Sequence, residues 1–203
     1  MLRRPTAFSA FKLREKASVF LTELHPASNS EDRAAILAKL RKRDFDATHH
    51  CSAWRVGTPV AGWGSDDDGE PSGTAGSPML RVLEGEGLTD CLAVCIRWFG
   101  GTKLGTGGLV RAYTETLQGA ITEANTCGHL EEIRILREGE IRTTPELAHL
   151  PFAVLGAFPG VELGEQRFEE GGATLRFFMP PDRETDLERA WNERSRGGSI
   201  TWL

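Results

Sequence analysis

The chain has 203 residues, of which 39 % are hydrophobic and 26 % charged, with five tryptophans and a formal net charge of −5. That apolar content is enough for one large or two small cores, which excludes a disordered chain. The acidic balance excludes a molecule that holds nucleic acid through overall positive charge. Residues 1–128 carry 15 basic and 15 acidic side chains and residues 129–203 carry 9 and 14, so a nucleic-acid contact is expected from a local patch on the first part only. The four cysteines, Cys51, Cys91, Cys95 and Cys127, form no CxxC pair, which disfavours zinc and a disulfide framework and points to a reducing cytoplasm. No apolar run follows Arg3 and Arg4 as in a signal peptide, and none is long enough to span a bilayer, so no membrane association is expected.

In chain order, residues 1–10 read as a loose arm and Lys16 to Leu24 as a strand. Ser30 to Arg43 reads as a helix capped by Ser30, with Ile36, Leu37 and Leu40 as its apolar face and Lys39 to Arg43 loading its end with positive charge. That basic run is read as a solvated helix end. Ala47 to Val56 reads as a second strand, Gly57 to Gly76 as a long loop of the kind that is often functional, and Met79 to Gly85 as a short helix begun near Ser72. Leu88 to Phe99 is the clearest strand: Cys91, Ala93 and Cys95 alternate with Leu92, Val94, Ile96 and Trp98, so both faces are buried and the two cysteines are core side chains. Gly107 to Ala124 has helical periodicity through Leu109, Ala112, Tyr113, Thr116, Leu117, Ala120 and Ile121. The remainder reads as strand Leu130 to Leu136, helix Pro145 to Phe158, strands Gly160 to Phe168 and Ala173 to Met179 joined by a turn at Glu169 to Gly172, helix Arg183 to Glu193 and strand Ser199 to Leu203. This βαββαβ order suggests a ferredoxin-like domain.

Two glycine-rich stretches carry the chemistry. At the junction of the central strand and the following helix, Gly105, Gly107 and Gly108 let backbone amides converge on an anion, with Lys103 and Arg111 supplying charge; the competing reading is a tightly packed turn. The segment matches neither a Walker loop nor a dinucleotide fingerprint. In the earlier stretch, Asp66, Asp67, Asp68 and Glu70 lie near His49 and His50. These acids either hold Mg²⁺ or activate water, or they only cap turns, and no EF-hand spacing is present. His49 and His50 alternate across a strand start, so one alone faces the acids. Trp98 is expected to pack, leaving Phe99 as the exposed aromatic, while Arg97 shares the parity of Cys91, Ala93 and Cys95 and is expected to face the cleft.

With Lys16-Ala17-Ser18-Val19-Phe20, Ala47-Thr48-His49-His50-Cys51, the run from Ser65 through Leu80 and the run from Arg97 through Tyr113, the sequence resembles the YigZ/IMPACT family. The resemblance covers the chain, by motif up to about residue 129 and by element order beyond it. It implies an α+β chain with a ribosomal protein S5 domain 2-like amino-terminal domain over 10–126, followed over 130–203 by a ferredoxin-like domain similar to the last domain of elongation factor G. Both likenesses point toward RNA or the ribosome. Eukaryotic members of the family regulate translation with the help of a further domain that this sequence lacks, and the proline dipeptidase label given to some bacterial members has no matching metal-ligand pattern here. The sequence departs from the family at Val19, where arginine is usual, and at Trp98, where tyrosine or phenylalanine is common.

The reading that follows is a non-catalytic RNA- or ribosome-associated protein, with phosphate or nucleic acid held by Arg97, Phe99, Lys103, Gly105, Gly107, Gly108, Arg111 and His50. No metal or other cofactor is expected. The alternatives are an Mg²⁺-dependent enzyme using Asp66, Asp67, Asp68 or Glu70 on a phosphorylated small molecule, and an adaptor that meets a protein partner through its acidic second domain.

Overall fold

The computed structural model describes residues 2–169, 171–195 and 198–203. The chain divides into two compact units, Met1–Ile133 and Arg134–Leu203. None of the described helices is long and apolar enough to cross a membrane.

The first unit contains β1 (Leu2–Pro5), β2 (Ser9–Glu15), β3 (Ser18–Pro26), α1 (Ser30–Arg43), β4 (His49–Val56), β5 (Gly62–Asp66), α2 (Gly76–Gly85), β6 (Cys91–Trp98), α3 (Thr106–Thr126) and β7 (Leu130–Ile133). Five strands form one antiparallel sheet in the order β2-β3-β6-β4-β5, and β1 pairs with β7 beside it. Strand β6 lies at the centre with every residue from Cys91 to Arg97 buried. Its two faces separate as the alternation of the sequence predicts. Cys91, Ala93 and Cys95 pack with Met79, Leu83, Tyr113 and Leu117 of α2 and α3, whereas Leu92, Val94 and Ile96 pack under Leu40, Ile36 and Leu37 of α1, with Trp98 at the margin. Burial pushes the thiols of Cys91 and Cys95 up to about 12, so they stay protonated as core side chains.

Several boundaries differ from the sequence reading. The expected arm at residues 1–10 holds β1 and the start of β2, ordered by pairing with β7 and β3. The cap of α1 is Asn29, whose side chain accepts from the Asp32 amide at 2.8 Å, not Ser30. The expected loop at Gly57 to Gly76 contains β5. Glycine-rich Gly62-Trp63-Gly64-Ser65-Asp66 has little intrinsic strand preference. It pairs with β4 because Gly62 and Gly64 leave room for the Trp54 ring, which a side chain at Gly64 would meet at 2.8 Å. A tight crossing also shapes the far end of β6: a Cβ at Gly100 would lie 1.9 Å from the carbonyl oxygen of Ala17, in the two-residue turn between β2 and β3. Gly100→Ala is therefore expected to cost about 2 kcal/mol or more, because backbone on both sides must move, and a urea midpoint unchanged from wild type would contradict it.

The second unit contains β8 (Arg137–Thr143), a 3-10 turn at Pro145–Leu147, α4 (Leu150–Leu155), β9 (Glu162–Glu169), β10 (Gly172–Met179), α5 (Glu184–Arg194) and β11 (Ser199–Trp202). Its sheet is antiparallel in the order β11-β8-β10-β9, over a core of Ile141, Val154, Leu155, Leu175, Phe177, Met179, Leu187 and Trp191. The order βαββαβ is the expected one, but its first strand is β8 and not Leu130 to Leu136, whose first four residues form β7 and pair with β1. Strand β8 is hard to see in Arg137-Glu138-Gly139-Glu140-Ile141-Arg142-Thr143 because Gly139 marks an inward position where the Phe177 ring takes the space of a side chain. The expected helix Pro145 to Phe158 is broken into two short pieces, since Pro151 has no amide to donate and is tolerated only in the first turn of α4. Glu170, in the expected hairpin turn between β9 and β10, lies outside the described residues.

Candidate functional site

A cleft of about 400 Å³ opens in the first unit between the acidic loop after β5 and the start of α3. Its apolar wall is Pro71, Phe99, Leu104 and Leu109, its floor Glu70, Arg97, His49 and Thr48, and its rim Lys103, Gly105 and Thr106. The register of the sheet brings the floor together: His49 lies opposite Arg97 in the β4–β6 pairing, so both side chains leave the same face.

The floor is built on a buried ion pair. Glu70 and Arg97 are 8 % and 4 % exposed. Glu70 Oε1 accepts from a terminal nitrogen of Arg97 and, at 2.7 Å, from the Tyr113 hydroxyl. The other terminal nitrogen of Arg97 donates to Ser18 Oγ at 3.2 Å, and its guanidinium lies 5.2 Å from the Phe20 ring centroid and 5.4 Å from that of Phe99. Behind Tyr113, Cys51 Sγ lies 3.3 Å from the phenol oxygen and 3.0 Å from the Asp67 carbonyl oxygen. Burial pushes both the phenol and this thiol far above their ordinary values, so they remain protonated and serve as hydrogen-bond donors.

The three aspartates beside Glu70 are engaged in folding their own loop. Asp67 accepts backbone N–H groups from Gly73 at 2.7 Å, Ala75 at 3.0 Å and Gly76 at 2.8 Å, and so caps α2 from outside the helix. Burial works to raise its pKa, but the three amides outweigh it and hold the carboxyl below the usual value. Asp68 accepts from Arg41 at 2.7 Å and from the His50 amide at 2.6 Å, and Asp66 accepts from the Asp68 amide at 2.8 Å. Among the described residues, no group of three or more His, Cys, Asp or Glu is arranged to hold a metal ion.

Of the residues singled out in the sequence, the structure brings Glu70, Arg97, Phe99, Lys103 and Gly105 to the cleft. Phe99 is 44 % exposed, while Arg97 stays in the core instead of leaving it. Gly105, at φ 73, turns the chain into α3 without a side chain to occupy the first-turn amides, to which Gly107 and Gly108 belong. Two residues fall elsewhere. His50 points to the opposite face of the sheet, beneath the end of α1, where burial and then the charge of Arg41 push its pKa down. Arg111 sits on the exposed side of α3 outside the cleft lining. Sequence reasoning chose His50 where His49 belongs; the signal that distinguishes them is strand parity relative to Arg97, which needs the register. It also missed Tyr113 and Ser18 as the partners of the buried pair.

The fold and site together define an α+β protein of two compact units, the first carrying an open cleft at a strand-to-helix junction. The Impact N-terminal domain model matches residues 16–121, just over half of the chain, and the chain belongs to that family. It is 44 % identical over 119 residues to an IMPACT family member of Haemophilus influenzae and 43 % identical over 113 residues to IMPACT family member YigZ of Escherichia coli. These alignments take in 58 % and 55 % of this chain and 58 % and 55 % of the relatives, so the chain spans little more than half the length of the curated relatives it matches. Over its whole length it is similar to a hypothetical protein of known crystal structure, at 30 % identity and a TM-score of 0.60, covering 96 % of that chain.

Proposed function

We propose that this protein is a non-catalytic, RNA- or ribosome-associated factor acting in translation, and that the cleft of the first unit holds an RNA strand. One observation carries the reading: an exposed aromatic ring, Phe99, an ammonium group, Lys103, and the uncapped first turn of a 21-residue helix converge on one opening. Helix amides and a lysine favour a phosphate, and an aromatic face accepts a stacked base whatever its sequence. The resemblance to a family whose eukaryotic members regulate translation supports the setting; those members do so with the help of a further domain, so their mechanism is not carried over. The strand orders of the two units support the finer classification as S5 domain 2-like and ferredoxin-like.

The test is binding of the full chain to ribosomal subunits and to short single- and double-stranded RNA at two salt concentrations. Saturable binding that weakens with salt is expected. Lys103→Ala should weaken binding to every sequence alike and reduce the slope of log affinity against log salt by about one. Binding untouched by salt and by Lys103→Ala would overturn the proposal. The metal-dependent enzyme is the second reading, because a divalent ion at Asp67 or Asp68 would have to displace the bonds that shape the loop. Mg²⁺-dependent turnover of a nucleotide by the full chain would move it to first place.

A further inference from the structure

The floor of the cleft presents acceptors that lack donors. His49 Nδ1 lies 2.7 Å from the carbonyl oxygen of Asp68, and a carbonyl only accepts, so Nδ1 carries the hydrogen and Nε2 is the acceptor of the neutral tautomer that this bond selects. That nitrogen sits 3.9 Å from Glu70 Oε1, beyond hydrogen-bond distance. Glu70 is nine-tenths buried; its Oε1 is filled by Arg97 and Tyr113, and its Oε2 takes no hydrogen bond from any described residue. Both acceptors border one open cleft that also holds an exposed aromatic ring, so a ligand entering it can supply the donors they lack. The ligand that completes such a site is planar, to stack on Phe99, and shows adjacent N–H donors along one edge.

Resting on the RNA reading above, we propose that the cleft recognises an unpaired guanine of single-stranded RNA. Guanine alone among the four RNA bases carries two neighbouring donors, N1–H and the N2 amino group, on its Watson–Crick edge. Adenine and cytosine set an acceptor beside their single amino group, and uracil flanks one N–H with two carbonyls, so each would turn a lone pair toward the Glu70 carboxylate or the His49 nitrogen. Guanine stacked on Phe99 gives its two donors to Glu70 Oε2 and His49 Nε2, and Lys103 at the rim meets the adjoining phosphate.

The experiment measures binding of the full chain to single-stranded uridine pentamers whose central base is guanine, adenine, cytosine, uracil or hypoxanthine, with guanosine and inosine 5′-monophosphate as separate probes. Replacing guanine by hypoxanthine removes only the N2 amino group and leaves the protein unaltered, so protein folding does not enter. The guanine pentamer should bind roughly tenfold or more tightly than the other three standard bases, and hypoxanthine should forfeit most of that advantage. His49→Ala should bring the guanine pentamer to the level of uracil, whereas Lys103→Ala should weaken all pentamers equally. Equal, salt-sensitive binding of all five pentamers would overturn the guanine assignment and leave the RNA reading standing. Saturable binding of guanosine monophosphate over inosine monophosphate without binding of any pentamer would uphold the guanine site and overturn the RNA reading. Binding of neither would remove both.

Discussion

Glu70→Gln is expected to cost the first unit about 3–5 kcal/mol, the range for stripping one partner from a buried ion pair. The Arg97 guanidinium is 4 % exposed and its only carboxylate partner among the described residues is Glu70. Glutamine keeps the shape and one acceptor oxygen but removes the counter-charge, leaving a cation beside the Phe20 and Phe99 rings and the Ser18 hydroxyl. Urea unfolding of the full chain, followed by a probe in the first unit, reads the effect as a lower midpoint. The double variant Glu70→Leu with Arg97→Leu should recover much of the loss, since replacing both charges with apolar groups removes the desolvation cost together with the attraction. A single variant within about 1 kcal/mol of wild type would mean that water reaches the pair and that the floor of the cleft is not the low-dielectric site described here.

Asp67→Ala is expected to cost about 3 kcal/mol, because three backbone amides that share one carboxylate lose their charged acceptor together, and such bonds are each stronger than neutral ones. The variant leaves α2 uncapped and frees the loop that carries Glu70 to the cleft. The pH dependence has a definite sign. The folded-state pKa is depressed below 3.8, so the contribution is fully present above that value and is lost as pH falls through the folded pKa. Wild type and Asp67→Ala should therefore differ by a constant amount from neutrality down to about pH 4 and converge below it. A gap that closes at higher pH would point to a different group.

Much of this architecture follows from short-range pattern. The alternation in Cys91-Leu92-Ala93-Val94-Cys95-Ile96 is a property of one segment, and both faces of β6 are covered as it implies. The period of Leu109, Ala112, Tyr113, Thr116 and Leu117 places α3 and its buried stripe, and the junction between the two carries the rim of the cleft. Strands β5 and β8 were illegible for the opposite reason: Gly62 and Gly64 in the first and Gly139 in the second stand where an aromatic ring from a neighbouring strand, Trp54 or Phe177, fills the space of a side chain. Their strand character comes from that neighbour and not from their own residues.

The identity of β6 and α3 and the gathering of glycine and acid into two stretches were thus set locally, within a few residues of chain, where propensity and periodicity act. The working parts of the cleft were not. Glu70 meets Arg97 across 27 residues and Tyr113 across 43, and Arg97 meets Ser18 across 79. Whether His49 or His50 faces them depends on a register of β4 against β6 that shifts every side chain to the other face when it slips by one. The acids that look like a metal site along the chain become backbone clamps once the loop closes on α2. Long-range pairing is decided by burial and by the demand that every buried polar group find a partner, and both exist only after the sheet and helices have assembled.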